Sequence, residues 1–228
     1  MDSGTTEAYN VNFCFPVRDL CNSRVKLTPF EPAKHASPYF DASAPHPELY
    51  KYLPFGPFST LADYVDTFVE GRVHSNPSNV LFAIIDTTGA EDAVAGTIGL
   101  QAASPANLSA EIGFVIVLPA FQRTHVARSA IGLLLRYALD APSGDGGGLG
   151  LRRVQWQAHS ENKASVRAAE RLGFQVEALI RWDRVLRDDK LGKVGRGGQI
   201  GRDTWMLGIC WDDWEGGVRA AVNAILEG

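Results

Sequence analysis

Residues 110–130 read AEIGFVIVLPAFQRTHVARSA, and this stretch decides the fold. It begins as an apolar strand that carries one acid, Glu111, and Pro119 then ends the strand because it has no N–H to donate. A polar turn follows, and the segment from Thr124 to Asp140 is predicted to be a helix. Its apolar residues recur on one face: Ala127, Ile131, Leu134, Leu135 and Ala138. The stretch therefore predicts a strand–turn–helix unit.

The start of this helix is a candidate phosphate-binding site. The first N–H groups of a helix have no intrahelical partner, and the macrodipole adds about half a positive charge there. Arg123 and Arg128 add further positive charge. The small residues Ala127, Ser129 and Ala130 let a diphosphate approach the backbone. The alternative is an ordinary strand-to-helix connection with two solvated arginines, and this stretch alone favours neither.

Composition and patterning indicate one globular domain of the α+β class. The chain has 228 residues, of which 45% are hydrophobic and 21% charged, enough for a buried core. Residues 1–24 show little periodicity and are predicted to be an N-terminal arm, followed by a single domain at 25–228. Strands are predicted at 25–30, 79–86, 93–103, 109–118, 151–159, 175–186 and 202–211, and helices at 31–44, 60–73, 124–140 and 162–174. Asp212 is expected to cap a last helix.

Charge and hydropathy argue against several classes of protein. The net charge of -4 disfavours a nucleic-acid-binding protein, whose domain is expected to be basic. No stretch approaches the ~20 apolar residues of a membrane span, and the first residues lack the features of a signal peptide. Three cysteines without a C-x-x-C pair indicate a reducing compartment, and no metal-ligand spacing is found. A cytoplasmic protein without membrane contact or metal is therefore expected.

Three blocks of the sequence resemble a known family. They are PAFQRTHVARSA (119–130), VQWQAHSENKASVRAAERLGF with VEALIRWDRV (154–185), and GRDTWMLGICWDDW (201–214). In order and spacing they resemble the GNAT acetyltransferases, most nearly the branch that contains the ribosomal-protein N-terminal acetyltransferases. The resemblance implies a mixed, twisted sheet of about seven strands with helices on both faces, splayed near Val115 to admit acetyl-CoA.

The first block implies how acetyl-CoA is held. In the resembled family, P-x-x-Q-x-x-G-x-A binds the pyrophosphate on backbone amides. Gln122 fills the glutamine position and Ala127 the last small one, whereas His125 replaces the usual glycine. A helical backbone at His125 would keep the N–H in place. The residues implied in cofactor binding are Val115, Val117, Gln122, Arg123, Thr124, His125, Val126, Ala127, Arg128 and Asn162.

Glu111 is the candidate general base. An ammonium cannot attack a thioester, so some group must take its proton, and an acid at this position often does so in the resembled family. Strand alternation predicts that Glu111 shares a face with Gly113, Val115 and Val117. The alternative is an acid at the sheet edge that faces water. His159, at the end of the next strand, is a rival base or a residue with one structural hydrogen bond.

Ser165 is the candidate acid. It matches a serine that, in the ribosomal-protein branch, is proposed to protonate the leaving thiolate. Many other family members use a tyrosine four residues further along, where this chain has Ala169. Asn162 opens the same helix, and it suits an N-cap as well as the cofactor contact that the resemblance implies.

The acceptor site is less clearly marked. Tyr52, Phe55, Trp156, His159 and Trp182 are candidates to line it, although aromatic residues in such strands also build cores. The motif Arg202–Asp203 matches a family signature near the acceptor, or it is a surface ion pair. The Gly-rich loop 187–201 is either a mobile flap beside the site or a solvated insertion without a role in the reaction.

The sequence thus predicts an enzyme that moves acetyl from acetyl-CoA directly to a primary amine. The acceptor is a small molecule or a peptide N-terminus, and the protein a monomer or homodimer. One alternative is a non-catalytic module that binds acyl-CoA, which His125 and Ala169 suggest. Another is an acetyltransferase-like enzyme with a different acyl donor.

Overall fold

The computed structural model describes residues 9–143 and 147–228. Within them, nine strands form one sheet: β1 (Leu20–Cys21), β2 (Val25–Pro29), β3 (Val80–Asp86), β4 (Ala93–Ser104), β5 (Ser109–Val117), β6 (Arg153–His159), β7 (Gln175–Leu186), β8 (Lys193–Val194) and β9 (Ile200–Cys210). Their order is β1-β2-β3-β4-β5-β6-β9-β7, with β8 paired to β9. Only β5 and β6 are parallel among these strands, so the predicted mixed sheet is confirmed.

Helices cover both faces of this sheet, as the sequence predicted. They are α1 (Pro32–Ser43), α2 (Leu61–Asp63) continuing into a π-helical segment (Tyr64–His74), α3 (Val126–Leu139), α4 (Lys163–Glu170), and α5 (Trp211–Asp213) continuing through a second π-helical segment (Trp214–Val218) into α6 (Arg219–Glu227). One core lies under α3 and α6 and includes Leu134 and Val222. The other lies under α1 and the first π-helical segment and includes Tyr39 and Phe68. None of the helices in the described part of the chain has the length and apolarity to cross a membrane.

Two short strands lie outside the seven that the sequence predicted. β8 falls inside the loop 187–201, and β1 falls inside the predicted arm 1–24. In β1, Leu20 pairs with Leu27 and its side chain is buried. The sheet therefore begins before residue 25. Two residues are too few to show an alternating pattern, which is why the sequence did not reveal either strand.

The predicted cap of the last helix is wrong by two residues. Cys210, not Asp212, is the N-cap of α5. Its backbone N–H donates to Asp213 Oδ2 at 2.9 Å, the reciprocal contact of a capping box. The Asp213 side chain thus accepts the N–H group of Cys210, the last residue of β9, and the helix can start directly where the strand ends.

The parallel pair creates an opening in the sheet. Two parallel strands need a long crossover, which α3 supplies between β5 and β6. Their pairing runs from Ser109, opposite Arg153, to Ile112, opposite Trp156, and then stops. Beyond this point β5 is paired only with β4 on its other side. The splay predicted near Val115 is present.

A β-bulge lies inside this open part of β5. Gly99 pairs with Gly113 and Thr97 with Ile116, so three steps along β5 match two along β4. Phe114 takes a φ of 56°, in the left-handed region. A bulge reverses the side-chain alternation beyond it.

The bulge corrects one prediction about Glu111. Ile112 packs in the core under α3, so Glu111 points to the opposite face of the sheet. After the bulge it is Phe114 that lies on that opposite face, in the other core. Val115 and Val117 instead pack against the core under α3. Glu111 therefore does not share a face with them, as unbroken alternation had predicted.

Candidate active site

A cavity of about 610 Å³ occupies the opening between β5 and β6. Its walls come from the segment 46–55, from β5, from the start of α3, and from the end of β6 with the start of α4. The predicted site residues that line it are Tyr52, Phe55, Glu111, Val115, Val117, Gln122, Ala127, Trp156, His159, Asn162, Ser165 and Arg202. The fold thus brings both candidate catalytic side chains to one cavity.

Glu111 is buried inside the sheet and faces this cavity. Its side chain is 4% exposed, so the alternative of an edge acid facing water is wrong. Gln101 Nε2, on the adjacent strand β4, donates to Glu111 Oε1 at 2.5 Å. Gly113 makes room for that contact, since a Cβ there would lie 2.6 Å from Gln101 Nε2. The sequence analysis missed Gln101, although a glutamine within a strand of small and apolar residues was a usable signal.

Burial raises the pKa of Glu111 to about 7, although the hydrogen bond from Gln101 and the nearby charges of Arg184 and Arg202 act in the opposite direction. Loss of hydration disfavours the charged carboxylate, and here this effect is larger than the stabilising contacts. A carboxyl group with such a pKa changes its charge near neutral pH. It can therefore accept a proton and release it again.

His159 is already engaged at both ring nitrogens. Nδ1 accepts the backbone N–H of Glu161 at 3.1 Å. This assigns the proton to Nε2, which lies 3.1 Å from the carbonyl oxygen of Leu191. Burial lowers the pKa of His159, so the ring is held neutral with no nitrogen lone pair left for a substrate. These contacts favour the structural interpretation over the rival base.

Ser165 lies at the start of α4, and its hydroxyl proton has no acceptor among the residues that the structure describes. Its backbone N–H donates to Asn162 Oδ1 at 3.1 Å, so Asn162 is the predicted N-cap. Trp156 Nε1 donates to Ser165 Oγ at 2.9 Å. Because the Oγ atom acts as acceptor in that bond, its own O–H can donate to a group in the cavity.

The turn before α3 is fixed by side-chain hydrogen bonds. Gln122 Nε2 donates to the carbonyl oxygen of Val117 at 3.0 Å. The Thr124 hydroxyl donates to the carbonyl oxygen of Phe121 at 2.6 Å and accepts from the N–H of Val126 at 3.3 Å. Arg123 has a φ of 62°, a conformation that costs a non-glycine residue about 1 kcal/mol or more. The turn is thus held in one shape against local strain.

The backbone at the start of α3 can bind an anion. His125 has φ -68° and ψ -22°, the helical conformation that keeps its N–H in the helix start. Within the described residues, the N–H groups of Ala127 and Arg128 have no hydrogen-bond partner. Two unpaired N–H groups at a helix N-terminus are a suitable site for phosphate oxygens.

Several residues implied in cofactor binding do not line the cavity with their side chains. Arg123, Thr124 and Arg128 are exposed on the turn, and Val126 is buried in the core. His125 turns away, so that its Nε2 lies 3.3 Å from Asp86 Oδ1. For Thr124, His125 and Val126, any contact with a cofactor would therefore be made by the backbone.

A family match covers most of the chain. Residues 24–175 match the family described as Acetyltransferase (GNAT) domain. The chain belongs to the GNAT acetyltransferase family. The family and the enzyme class predicted from the sequence are confirmed, and acetyl-CoA fits as the acetyl donor of such a domain. No curated protein matches the sequence.

Solved structures of GNAT proteins share this fold. A GCN5-related N-acetyltransferase from Brucella melitensis is 28% identical, with a TM-score of 0.76 over 92% of this chain and 85% of that one. A probable GNAT-family acetyltransferase from Chromobacterium violaceum is 25% identical, with a TM-score of 0.75 over 94% and 97%. Spermidine N-acetyltransferase from Vibrio cholerae, in complex with CoA and spermine, is 18% identical, with a TM-score of 0.63 over 85% and 99%. These similarities support the GNAT family, and membership of the ribosomal-protein branch stays a prediction.

The aromatic candidates for the acceptor site of this GNAT acetyltransferase divide into two groups. Tyr52 lies beside His159, with ring centroids 5.4 Å apart, and Phe55 stacks on Phe68 at 4.5 Å. Trp156 lines the cavity through its bond to Ser165. Trp182 lies outside the cavity and is 53% exposed, so it does not join the others there.

Arg202 and Asp203 point to different places. Asp203 binds Lys193 Nζ at 2.7 Å outside the cavity. Arg202 is buried, and its Nε donates to Thr204 Oγ1 at 3.0 Å while Nη1 donates to the carbonyl oxygen of Tyr52 at 3.4 Å. The predicted alternative of a mutual ion pair is therefore wrong. Successive residues of a strand face opposite sides of the sheet, which separates the two charges.

Two further arginines line the acceptor side of the acetyltransferase cavity, and the sequence analysis missed both. Arg184 Nη2 donates to Gln157 Oε1 at 2.7 Å, and its Nε lies 3.2 Å from Asp183 Oδ2. Arg72 lies over the Phe55 ring, 5.4 Å from its centroid. They lie on separate elements, the first π-helical segment and β7, and no sequence signal placed them together.

Proposed function

We propose that this GNAT acetyltransferase moves an acetyl group from acetyl-CoA directly to a primary amine of a small molecule or a peptide N-terminus. The observation that carries the proposal is Glu111, a buried carboxyl group with a pKa of about 7 that faces the cavity in the splayed sheet. The same cavity is bordered by the anion-binding start of α3.

The donor is held at the start of α3. The free backbone N–H groups of Ala127 and Arg128 bind pyrophosphate oxygens, and Ala127 leaves space beside them. The unpaired edge of β5 near Val115 and Val117 accommodates the extended arm of the cofactor. The similarity in fold to the CoA-bound Vibrio cholerae structure supports this placement. When bound, acetyl-CoA supplies a thioester carbonyl, which is the electrophile.

Glu111 prepares the amine. At neutral pH an amine is mostly protonated, since its pKa is near 8 for an α-amino group and about 10 for a side chain. The Glu111 carboxylate takes that proton, directly or through a water molecule, and the freed lone pair can then attack. Since the pKa of Glu111 is about 7, the group is in its basic form above neutral pH. General bases of this kind contribute about 10²–10⁴-fold to a rate.

Ser165 assists the departing sulfur. Its O–H donates to the sulfur while the carbon–sulfur bond breaks, so the sulfur leaves as a thiol. Ser165 Oγ in turn takes the second proton of the attacking nitrogen, directly or through water, which leaves a neutral amide and a neutral serine. Negative charge that develops on Ser165 Oγ is stabilised by the N–H of Trp156, which already donates to that atom at 2.9 Å. Asn162 positions the serine by capping α4.

Three finer points belong to the same proposal. The sequence has Ser165 and has alanine, not tyrosine, at position 169. This combination supports placing the protein near the ribosomal-protein N-terminal acetyltransferase branch. Three free cysteines, two of them exposed, support a reducing compartment such as the cytoplasm. The alternative function is a non-catalytic acyl-CoA-binding module, which the replacement of glycine by His125 had suggested; the helical backbone at His125 removes part of that argument.

The test separates catalysis from binding. The protein is incubated with acetyl-CoA and a library of amines and peptides, and mass spectrometry detects a gain of one acetyl group. Glu111→Gln is the matched inactive variant, and calorimetry measures acetyl-CoA binding to both proteins. Acetylation by the natural protein and not by Glu111→Gln supports the proposal. Binding of acetyl-CoA without acetylation of any amine would indicate the non-catalytic module instead.

A further inference from the structure

The acceptor side of the cavity has an excess of positive charge. Three arginines line it, Arg72, Arg184 and Arg202, and Glu111 is the acid among them. With a pKa of about 7, Glu111 is ionised only in part at neutral pH. Glu48, the remaining lining acid, is exposed and hydrogen-bonded to His46 at 3.0 Å. Among the described residues it forms no ion pair with Arg202, which is buried, or with the half-buried Arg72 and Arg184.

The two arginines of the sheet are positioned mainly by neutral groups. Arg202 donates to the Thr204 hydroxyl and to the Tyr52 carbonyl. Arg184 donates to the Gln157 side chain, and its Nε lies 3.2 Å from Asp183 Oδ2 in an ion pair. Asp183 is the nearby acid, and its Oδ2 accepts the hydroxyl of Thr204 at 2.8 Å. Asp183 therefore pairs with Arg184, and Arg202 forms no ion pair with a carboxylate among the described residues.

Arg72 has no acidic partner within the part of the chain that the structure describes. It reaches the cavity from the first π-helical segment and lies over the ring of Phe55. Burial, and secondly the charge of Arg184, lower its pKa. Burial also lowers the pKa of Arg202 to about 10, with Arg184 contributing again. The arginines therefore repel one another across the cavity.

Such an arrangement suits an anionic ligand. A buried charge without a partner destabilises a protein, and an oppositely charged ligand removes that penalty. The guanidinium group is planar and presents paired donors that match a carboxylate or a phosphate. Three such groups from separate elements, directed at one space that also holds the candidate base, define a subsite for an oxyanion.

We infer that the acceptor carries an anionic oxygen group, a carboxylate or a phosphate, which Arg72, Arg184 and Arg202 hold while the amine faces Glu111. This inference rests on the proposed function, since it concerns the acceptor of that reaction. The same charges disfavour a polyamine, which has only positive groups. The chain therefore differs in acceptor class from the spermidine N-acetyltransferase whose fold it shares.

Matched pairs of amines test the inference. The acids are γ-aminobutyrate, glycyl-glutamate with an amidated C-terminus, and O-phosphoethanolamine. Their partners without the acidic group are 4-aminobutanamide, glycyl-glutamine with an amidated C-terminus, and ethanolamine. The expected kcat/KM is at least about tenfold higher for an acid than for its partner, and spermidine is a poor substrate. The carboxylate and phosphate pairs show which oxyanion is preferred. Equal kcat/KM values within every pair would overturn the inference.

Arginine variants locate the subsite. Arg72→Gln should lower kcat/KM for the preferred acid at least about tenfold and change that of its neutral partner by no more than about twofold. Arg181→Gln, an exposed arginine on β7, is the matched control and should leave both values unchanged. Equal losses for acid and neutral amine in Arg72→Gln would contradict the inference. If that variant fails to fold, Arg184→Gln provides the same comparison.

Calorimetry tests the anionic subsite by binding alone, separately from the proposed acetylation reaction. N-acetyl-γ-aminobutyrate and its carboxamide are titrated into the protein in the presence of CoA. Tighter binding of the acid supports the subsite, and equal binding contradicts it, whether or not any amine is acetylated. If none of the amines in the pairs is acetylated, that result would instead contradict the proposed function.

Discussion

Glu111 combines three properties at one position: it is ionisable, buried, and central in the sheet. Acidic residues are seldom fully buried without a positive partner. Here a neutral amide, Gln101, contacts the carboxyl group, and Gly113 provides the space for that contact. The charges of Arg184 and Arg202 lower the pKa of Glu111 by less than burial raises it. A closely paired arginine would have left a permanently ionised and weaker base.

Glu111→Gln should lower kcat by at least about tenfold, because the isosteric amide keeps the contact with Gln101 and cannot take a proton. In the natural enzyme, kcat should rise with pH around a midpoint near 7, the pKa of Glu111, and this rise should be absent in the variant. Glu91→Gln, in an exposed turn, is the control. Full activity of Glu111→Gln together with loss of activity in His159→Ala would reassign the base to His159.

Ser165→Ala should lower kcat while acetyl-CoA affinity changes by no more than about twofold. The variant removes the hydroxyl that serves the leaving sulfur and leaves the backbone N–H bonded to Asn162. Rapid kinetics gives kcat, and calorimetry gives the affinity. Ser37→Ala, on the exposed side of α1, is the control. An unchanged kcat would show that water protonates the sulfur.

At the scale of elements, the sequence predicted those features that depend on a few neighbouring residues. The turn at 122–125, the periodicity of α3 and the cap at Asn162 each follow from a few neighbouring residues. The bulge in β5 does not, since it exists only in the pairing with β4. The arginine subsite was not predictable either, because Arg72, Arg184 and Arg202 come from separate elements. Trp182 and Asp203 were misplaced for the same reason.

Ala127→Glu should abolish acetyl-CoA binding while the fold persists. A carboxylate at the start of α3 would occupy the space of the pyrophosphate and repel it, whereas an acid in the first turn suits the helix itself. Calorimetry measures the binding, and circular dichroism follows the fold. Ala106→Glu, in the exposed turn between β4 and β5, is the control. Unchanged affinity in Ala127→Glu would contradict the proposed position of the pyrophosphate.

The loop 187–201 is tied to the wall of the acceptor site. Lys190 Nζ donates to the carbonyl oxygens of Tyr50 and Phe55 at 3.1 and 3.0 Å, and the carbonyl oxygen of Leu191 contacts His159. The segment 46–55 that it holds lines the cavity. That the rest of the loop acts as a mobile flap stays a prediction.

Lys190→Met should raise KM for the amine several-fold and leave KM for acetyl-CoA unchanged. The substitution keeps an apolar stem and removes the two hydrogen bonds that fix the cavity wall, which serves the acceptor and not the donor. Steady-state kinetics with each substrate varied in turn measures both constants. Lys163→Met, on the exposed face of α4, is the control. Equal changes in both KM values would point to a general loss of structure.

At the scale of the whole molecule, the sheet separates two apolar cores and the cavity touches both. Val115 packs against the core under α3, and Phe114 belongs to the core under α1. The bulge lets these consecutive residues of β5 serve opposite faces. The opening for substrates is therefore built into the centre of the folded structure, and a charge placed there affects the stability of the entire domain.

The stability of the protein should fall as pH rises through the range in which Glu111 ionises. Its pKa is about 7 in the folded protein and about 4.3 in an unfolded chain. Folding thus favours the protonated form. The stabilisation is fully present below about pH 4 and is lost as pH rises to about 7. Between pH 5 and pH 8 the loss from this group is about 2.5 kcal/mol.

Urea unfolding at the two pH values, for the natural protein and Glu111→Gln, isolates this contribution because all other titrating groups are common to both. The free energy of unfolding of Glu111→Gln should gain about 2.5 kcal/mol relative to the natural protein between pH 5 and pH 8. Glu91→Gln should follow the natural protein. A constant difference between Glu111→Gln and the natural protein would mean that Glu111 is not ionising in this range, and the proposed base would lose its physical support.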